Sequence, residues 1–188
     1  MRKEIFGSQT RFTLDTCVGR KAYENPNYLD MLKTLVDLEK SKVSFTTVSV
    51  YEIEKRADYH FEAAKENLES SLGIKISVGK ITFKISVLAE KLLENHELLH
   101  IPDNQILAYA ISTDSVLVTC DKYLVRVAQQ LGHKVLNADK LCTDTFVKVK
   151  SKYHNIVKKV IAKPSVVKQK VKSFALKPGQ KIVWRAFN

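Results

Sequence analysis

Two periods of apolar and polar positions run along this chain, and the switches between them mark out its elements. The run "RFTL" (11–14) is short, rich in apolar residues and ends at Asp15, which reads as a first strand. After Pro26, "NPNYLDMLKTLVDLEKS" sets Leu29, Leu32, Leu35, Val36 and Leu38 at mostly helical spacing. "KVSFTT" (42–47) is β-branched and aromatic, a second strand. From Ser49-Val50-Tyr51-Glu52 a helix opens whose stripe is Val50, Ile53, Ala57, Phe61 and Ala64. "GIKISVGKITF" (73–83) fits either a brief strand or a turn, and leads into the helix "TFKISVLAEKLLENHELL". A further helix starts near Asp103, followed by the strand "VLVTC" (116–120), the helix "DKYLVRVAQQLG" and the strand "HKVLNA". Strands alternating with helices predict an α/β domain with a largely parallel sheet. It occupies residues 8–140, within the usual span of ~100–150 residues.

Beyond residue 140 the pattern changes. "TFVKVKSKY" alternates apolar and basic residues, "NIVKKVIAKP" has the makings of a helical turn, and "VVKQKVKSFALKPGQKIVWRAF" carries a Pro-Gly turn signal. The segment 141–188 therefore reads as a weakly structured, β-rich extension. Charge sharpens this boundary. Residues 1–140 hold 19 Lys and Arg against 19 Asp and Glu; residues 141–188 hold 12 basic residues against the single acid Asp144. The whole formal net charge of +11 thus lies in the extension, which calls for a polyanionic partner. Lys148, Lys150, Lys152, Lys158, Lys159, Lys168, Lys170, Lys172, Lys181 and Arg185 are the candidate phosphate contacts. Phe146, Tyr153, Phe174 and Trp184 lie among them, suited either to stacking on unpaired bases or to packing on the domain, the commoner use of an aromatic. An acidic protein partner and a merely solubilising role are the other readings of the same charge.

Composition excludes several classes. With 45% apolar residues the chain can bury a core, and no run of eighteen apolar residues predicts a transmembrane helix. The basic start "MRKEIFGSQTRFTL" lacks the apolar run of a signal peptide. Cys17, Cys120 and Cys142 form no CxxC pair, which argues against a zinc ribbon or a disulfide framework and fits a reducing cytoplasm. No Gly-rich phosphate loop is present.

The chemistry gathers at the margins of elements. A helix over 103–113 is ~16 Å long at ~1.5 Å per residue. A strand over 116–120 also spans ~16 Å, at ~3.3 Å per residue. If that helix packs antiparallel to that strand, Asp103 at its start meets Asp121 at the strand's end. Asp15 directly follows the first strand, and Glu52 lies in the first turn of the helix after the second. Ligands of open parallel sheets bind outside the carboxyl ends of the strands. Four carboxylates there repel one another until protons return or a divalent cation neutralises them, and a hard cation such as Mg²⁺ suits such a set. Each acid also has a plain structural reading. Asp121 and Asp103 sit where N-caps occur, Ser49 and Glu52 have the spacing of a capping box, Glu52 stands one turn before Arg56, and Asp15 can turn the chain at Thr16.

The stretches "FTLDT", "TTVSVYEIEKR", "IPDNQILAYA" and "VLVTCDKYL", in this order over residues 11–137, resemble PIN-domain proteins. These are metal-dependent ribonucleases that include VapC-type toxins and RNA-processing endonucleases. The resemblance implies an α/β/α sandwich and Mg²⁺ or Mn²⁺ held by Asp15, Glu52, Asp103 and Asp121. It further implies that Thr119 supports the site by hydrogen bonding, and that RNA is cut by a metal-activated water. It also implies a homodimer, while the basic extension points to a neutralising antitoxin as an acidic partner or to a structured RNA or ribonucleoprotein target. Cys17 departs from the family, which often has Asn or Ser there; a thiol is the weaker hydrogen-bonding group. The other reading is a non-catalytic PIN-like module that binds RNA or protein through its basic extension. Cys17 and Cys120 come close if their strands are neighbours, and His96 and His100 fall four apart near a helix end, both more ordinary as structural residues.

Overall fold

The computed structural model describes residues 10–39, 41–56 and 60–145. Its described elements run β1 (Arg11–Leu14), α1 (Thr16–Glu24), α2 (Pro26–Glu39), β2 (Lys42–Thr46), α3 (Thr47–Arg56) and α4 (Phe61–Leu72). They continue with β3 (Ile76–Gly79), α5 (Phe83–Asn95), α6 (Asp103–Ser112), β4 (Val116–Thr119), α7 (Lys122–Gln130), β5 (Val135–Asn137) and α8 (Ala138–Thr145). All described strands pair in parallel, in the order β3-β2-β1-β4-β5. The first described strand, β1, lies in the middle of the sheet; the chain then builds outward to β3 and crosses to the other side of β1 to lay down β4 and β5. The order reverses between β1 and β4, the place where a parallel sheet opens a crevice at its carboxyl edge.

Alternation along the strands makes three layers. Phe12 and Leu14 of β1, with Val116 and Val118 of β4, face one side and pack with Val18, Met31, Leu32, Leu35 and Leu68 from α1, α2 and α4. Leu117 faces the other side, among Ile85, Leu92, Ile106, Leu107, Leu124 and Val127 from α5, α6 and α7. With helices on both faces, every residue of β4 is buried, which is why "VLVT" is a continuous apolar run rather than an alternating one. The fold is the expected α/β/α sandwich.

Three sequence expectations are corrected. The stripe from Val50 to Ala64 belongs to two helices, because α3 ends at Arg56 and α4 starts afresh at Phe61 after His60. The helix through "ENHELL" stops at Asn95: the Asn95 side chain turns back to the Lys91 carbonyl (2.6 Å) and His96 is extended. His96 and His100 therefore share no helix. Two helices had no forecast at all. In α1, Val18, Gly19 and Ala22 form the buried face, residues too small to give a visible apolar stripe. In α8, which runs across residue 140, Leu141 and Cys142 pack into the core. The ambiguous segment 73–83 contains a true strand, β3, ended by Gly79, where a Cβ would fall 2.1 Å from the Tyr109 ring.

Candidate functional site

Each strand's carboxyl end hands the chain to a helix, and acids stand at these junctions. Asp15 follows β1, Glu52 lies within α3 after β2, Asp121 follows β4, and Asp103 is the first residue of α6, whose start reaches the same edge. All four line one cleft of about 530 Å³, together with Thr16, Cys17, Arg20, Lys21, His100 and Asp139 among others. The eighty-eight positions that separate Asp15 from Asp103 are closed by the sheet order and by the packing of α6 against β1 and β4.

Asp15 lies deepest, with only 4% of its surface exposed. Its backbone N–H still belongs to the ladder, donating to the Val118 carbonyl (3.0 Å), so the strand pairing itself fixes its position between β1 and β4. The Thr119 hydroxyl donates to Asp15 Oδ2 (2.6 Å) and accepts from the Asp121 N–H (2.9 Å), tying the two acids through one fully buried side chain. The Cys17 thiol donates to the same Oδ2 (3.2 Å) and accepts from the Cys120 N–H (3.1 Å). Burial pushes the Asp15 carboxyl above the usual range; the bonds from Thr119 and Cys17 pull it down, and the nearby Glu52 charge adds to the rise. For Cys17, the contact with the Cys120 thiol, then burial, then the Asp15 charge keep the thiol protonated, against the Cys120 N–H bond, which pulls the other way. A proton on sulfur is what lets Cys17 serve as a donor where an amide or hydroxyl is commoner.

Glu52 falls in the second turn of α3 rather than the expected first, and accepts a 2.6 Å bond from the Thr16 hydroxyl, which joins the start of α1 to the middle of α3. The expected capping box with Ser49 does not form. Thr46 caps α3 instead, its Oγ1 accepting from the Ser49 N–H (3.0 Å), so Glu52 is released toward the cleft. Asp121 does cap its helix: Oδ1 accepts from the N–H groups of Tyr123 (2.6 Å) and Leu124 (3.2 Å). Both bonds use one oxygen. Asp103 is half-buried at the first turn of α6, next to Asn104, whose buried side chain donates to the Ala89 carbonyl of α5 (3.1 Å) and pins the helix start.

Sequence reasoning missed a fifth acid, Asp139, in the first turn of α8 just after β5. The rule that found the others, an acid right after a parallel strand, would have found it in "VLNAD". Lys21 Nζ lies 2.8 Å from its Oδ1 and 3.1 Å from the Tyr28 hydroxyl, which itself donates to Asp139. Against partial burial, which raises it, these bonds from Lys21 and Tyr28 hold Asp139 below the usual carboxylate range. Thr16, Arg20 and Lys21 were also missed, because the helix that carries them was.

The donor chemistry around the cleft, carboxylate oxygens with one of them deeply buried, matches what a hard divalent cation takes. Among the described residues, no three Asp, Glu, His or Cys side chains stand close enough about one point to enclose an ion as they are oriented. The candidate contacts Lys148, Lys150, Lys152, Lys158, Lys159, Lys168, Lys170, Lys172, Lys181 and Arg185 lie outside the described residues, as do Phe146, Tyr153, Phe174 and Trp184. Among the described residues no helix is long and apolar enough to cross a membrane.

Comparison with known proteins follows the same lines. No curated protein matches the chain by sequence. Among solved structures, VapBC2 from Rickettsia felis, bound to a DNA fragment from its promoter, is similar at 17% identity and a TM-score of 0.49, over 62% of this chain and 92% of that one. A PilT N-terminus domain protein from the archaeon Sulfolobus solfataricus is similar at 16% identity and a TM-score of 0.45, over 73% of this chain and 95% of that one. The family model of the PIN domain matches residues 13–130, which takes in Asp15, Glu52, Asp103, Thr119 and Asp121 and stops short of Asp139. The chain belongs to the PIN domain family.

Proposed function

We propose that this protein is an endoribonuclease that hydrolyses RNA phosphodiesters with Mg²⁺ or Mn²⁺, acting as a VapC-like toxin or in RNA processing. The observation that carries the reading is the cleft that Asp15, Glu52, Asp103 and Asp121 share at the carboxyl edge of the sheet. Membership of a family whose members are generally nucleases supports it. A separate structural role for each acid does not explain four of them around one opening, since Glu52 caps no helix and the capping bond of Asp15 is absent. These four residues would hold the ion, which when bound supplies a more acidic water and neutralises charge at the phosphate.

The chain's own groups supply the rest. Thr119 and Cys17 fix the Asp15 carboxylate by donating to one oxygen, and Thr16 fixes Glu52. Burial of Asp15 beneath the cleft keeps its charge poorly solvated, so it favours any cation that arrives. The basic segment 141–188 holds RNA by its phosphates in this reading, without reading sequence. A homodimer, resting on family membership, an antitoxin or ribonucleoprotein partner, resting on the basic extension, and a cytoplasmic location, resting on cysteines that form no CxxC pair, belong to the same proposal.

A second reading, a non-catalytic module that binds RNA or protein, draws on one observation: Asp121 already caps α7. The test is cleavage of a mixed single-stranded and structured RNA pool in Mg²⁺ or Mn²⁺, with EDTA and Asp103→Asn alongside. Cutting that needs metal and is lost in the variant is the expected result. Tight binding with no cutting under any metal would overturn the nuclease reading in favour of the module.

A further inference from the structure

The acid cleft also contains cations, and they come from one helix. Thr16, Cys17, Arg20 and Lys21 line it together because α1 repeats every 3.6 residues, while Val18, Gly19 and Ala22 turn to the core. Gly19 brings this helix close: a Cβ there would fall 2.7 Å from the Phe45 ring, so the α1 backbone rests directly on that side chain of β2. Its outer face is thereby set against the opening that holds Asp15 and Glu52.

The two cations are used differently. Lys21 is committed, bonded to Asp139 at 2.8 Å and to Tyr28 at 3.1 Å. Arg20 is exposed, and among the described residues no carboxylate pairs with it, although five acids border the same cleft. It also borders a small apolar hollow formed by Gly19, Tyr23, Phe45, Ile53 and Phe61. An arginine that borders both can lay its methylene stem on the hollow and keep its guanidinium at the cleft mouth. An always-charged, planar fork of donors that is left unpaired beside an anionic site suits a ligand bringing its own oxyanions.

We infer that Arg20 binds the scissile phosphodiester, its guanidinium bridging two non-bridging oxygens, and stabilises the charge that builds there during hydrolysis. This rests on the nuclease reading above. In the step itself the oxygen of a water forms a bond to phosphorus as the bond to the departing ribose oxygen breaks. One water proton leaves to solvent and the departing oxygen takes up another; Arg20 stays protonated throughout and neither gives nor takes a proton. Because the extra charge on the phosphoryl oxygens appears as the bonds exchange, the loss on removing Arg20 falls mainly on kcat.

The experiment compares full-length wild type, Arg20→Gln and Arg20→Lys on a single-stranded RNA oligonucleotide in Mn²⁺. It measures kcat and KM separately, with thermal melting of each protein and with binding in Ca²⁺ at several salt concentrations. Expected for Arg20→Gln are a kcat lower by about 10²- to 10³-fold, a KM within a few fold, and an unchanged melting temperature. Its salt slope for binding is shallower by about 0.7, the loss of one phosphate contact to a single strand. Arg20→Lys, which keeps the charge and loses the fork, falls between. Both variants folding and cutting within about twofold of wild type would overturn the assignment, as would an equal loss in Arg20→Gln and Arg20→Lys that tracks a lowered melting temperature. If wild type itself does not cut, the nuclease reading fails; the salt slope then decides on its own, a shallower slope keeping Arg20 as a phosphate contact and an unchanged slope overturning that too.

Discussion

The two edges of the sheet treat charge in opposite ways. At the amino edge, where β4 and β5 begin, Asp114 faces Lys134 at 3.6 Å and His133 is buried without charge against the backbone of Ser115. There Thr13 and Ser115, both buried, satisfy each other at 2.6 Å. At the carboxyl edge five carboxylates border one cleft, and one of the two cations beside them, Arg20, pairs with none of them among the described residues. A fold that balances one edge and leaves the other electrostatically unbalanced has placed its instability where a ligand can relieve it. The contrast can be broken one residue at a time.

The largest effect is expected at Asp15. Its folded-state pKa is raised by burial, so ionising it weighs against folding, and the penalty builds as pH rises from the unfolded value through the raised one. Asp15→Asn removes the buried charge yet keeps an oxygen to accept from Thr119 and Cys17. Cleavage should fall by about 10³-fold or more, while the melting temperature at pH 7 stays level or rises. Kinetics and a melting curve on the same sample check both signs. A variant that loses stability along with activity would make Asp15 a structural residue after all.

The second effect belongs to the amino edge and to pH. Burial lowers the His133 pKa from about 6.5 to about 4, against the pull of Asp114 in the other direction. The unfolded chain therefore binds the proton first. The stability His133 contributes is complete above about pH 6.5 and is lost as pH falls toward 4, an effect of roughly 2–3 kcal/mol between pH 7 and 4.5. Urea unfolding of wild type and His133→Asn at these two pH values should show wild type losing that much more than the variant. Equal losses would mean the ring is solvated in the native protein.

How much of this was legible in the sequence depended on where apolar side chains are large. The strands β1, β2, β4 and β5 and the helices α2, α5, α6 and α7 announce themselves through apolar residues at regular spacing, whereas β3 stays ambiguous in the pattern. By contrast α1 buries Val18, Gly19 and Ala22, whose smallness serves close packing on Phe45 and erases the stripe. Missing α1 meant missing Arg20, Lys21 and the Thr16 bond to Glu52. The acids were readable because the chain order puts each beside the end of an apolar run. The matched lengths of α6 and β4 explain Asp103, but nothing in the spacing said that Thr46 rather than Ser49 caps α3, since both are good caps. Asp139 lay beyond the last strand that the pattern was asked to explain.

The smallest effect tests the amino edge by removing its charge. Asp114 has a positive φ of 49°, a conformation that Asn also adopts with ease, so Asp114→Asn changes the charge and spares the turn. The Lys134–Asp114 pair is half-exposed on the acid's side, and water and salt screen it. Its loss should cost at most about 1 kcal/mol in urea unfolding and shrink further at high salt. Cleavage should not change, because the pair stands across the sheet from the cleft. The same neutralisation of one aspartate is thus expected to slightly weaken folding at one edge, and at the other to abolish activity while leaving folding intact or improved. If Asp114→Asn altered cleavage instead, charge at the amino edge would be coupled through the sheet to the acids, and the division of labour between the two edges would not hold.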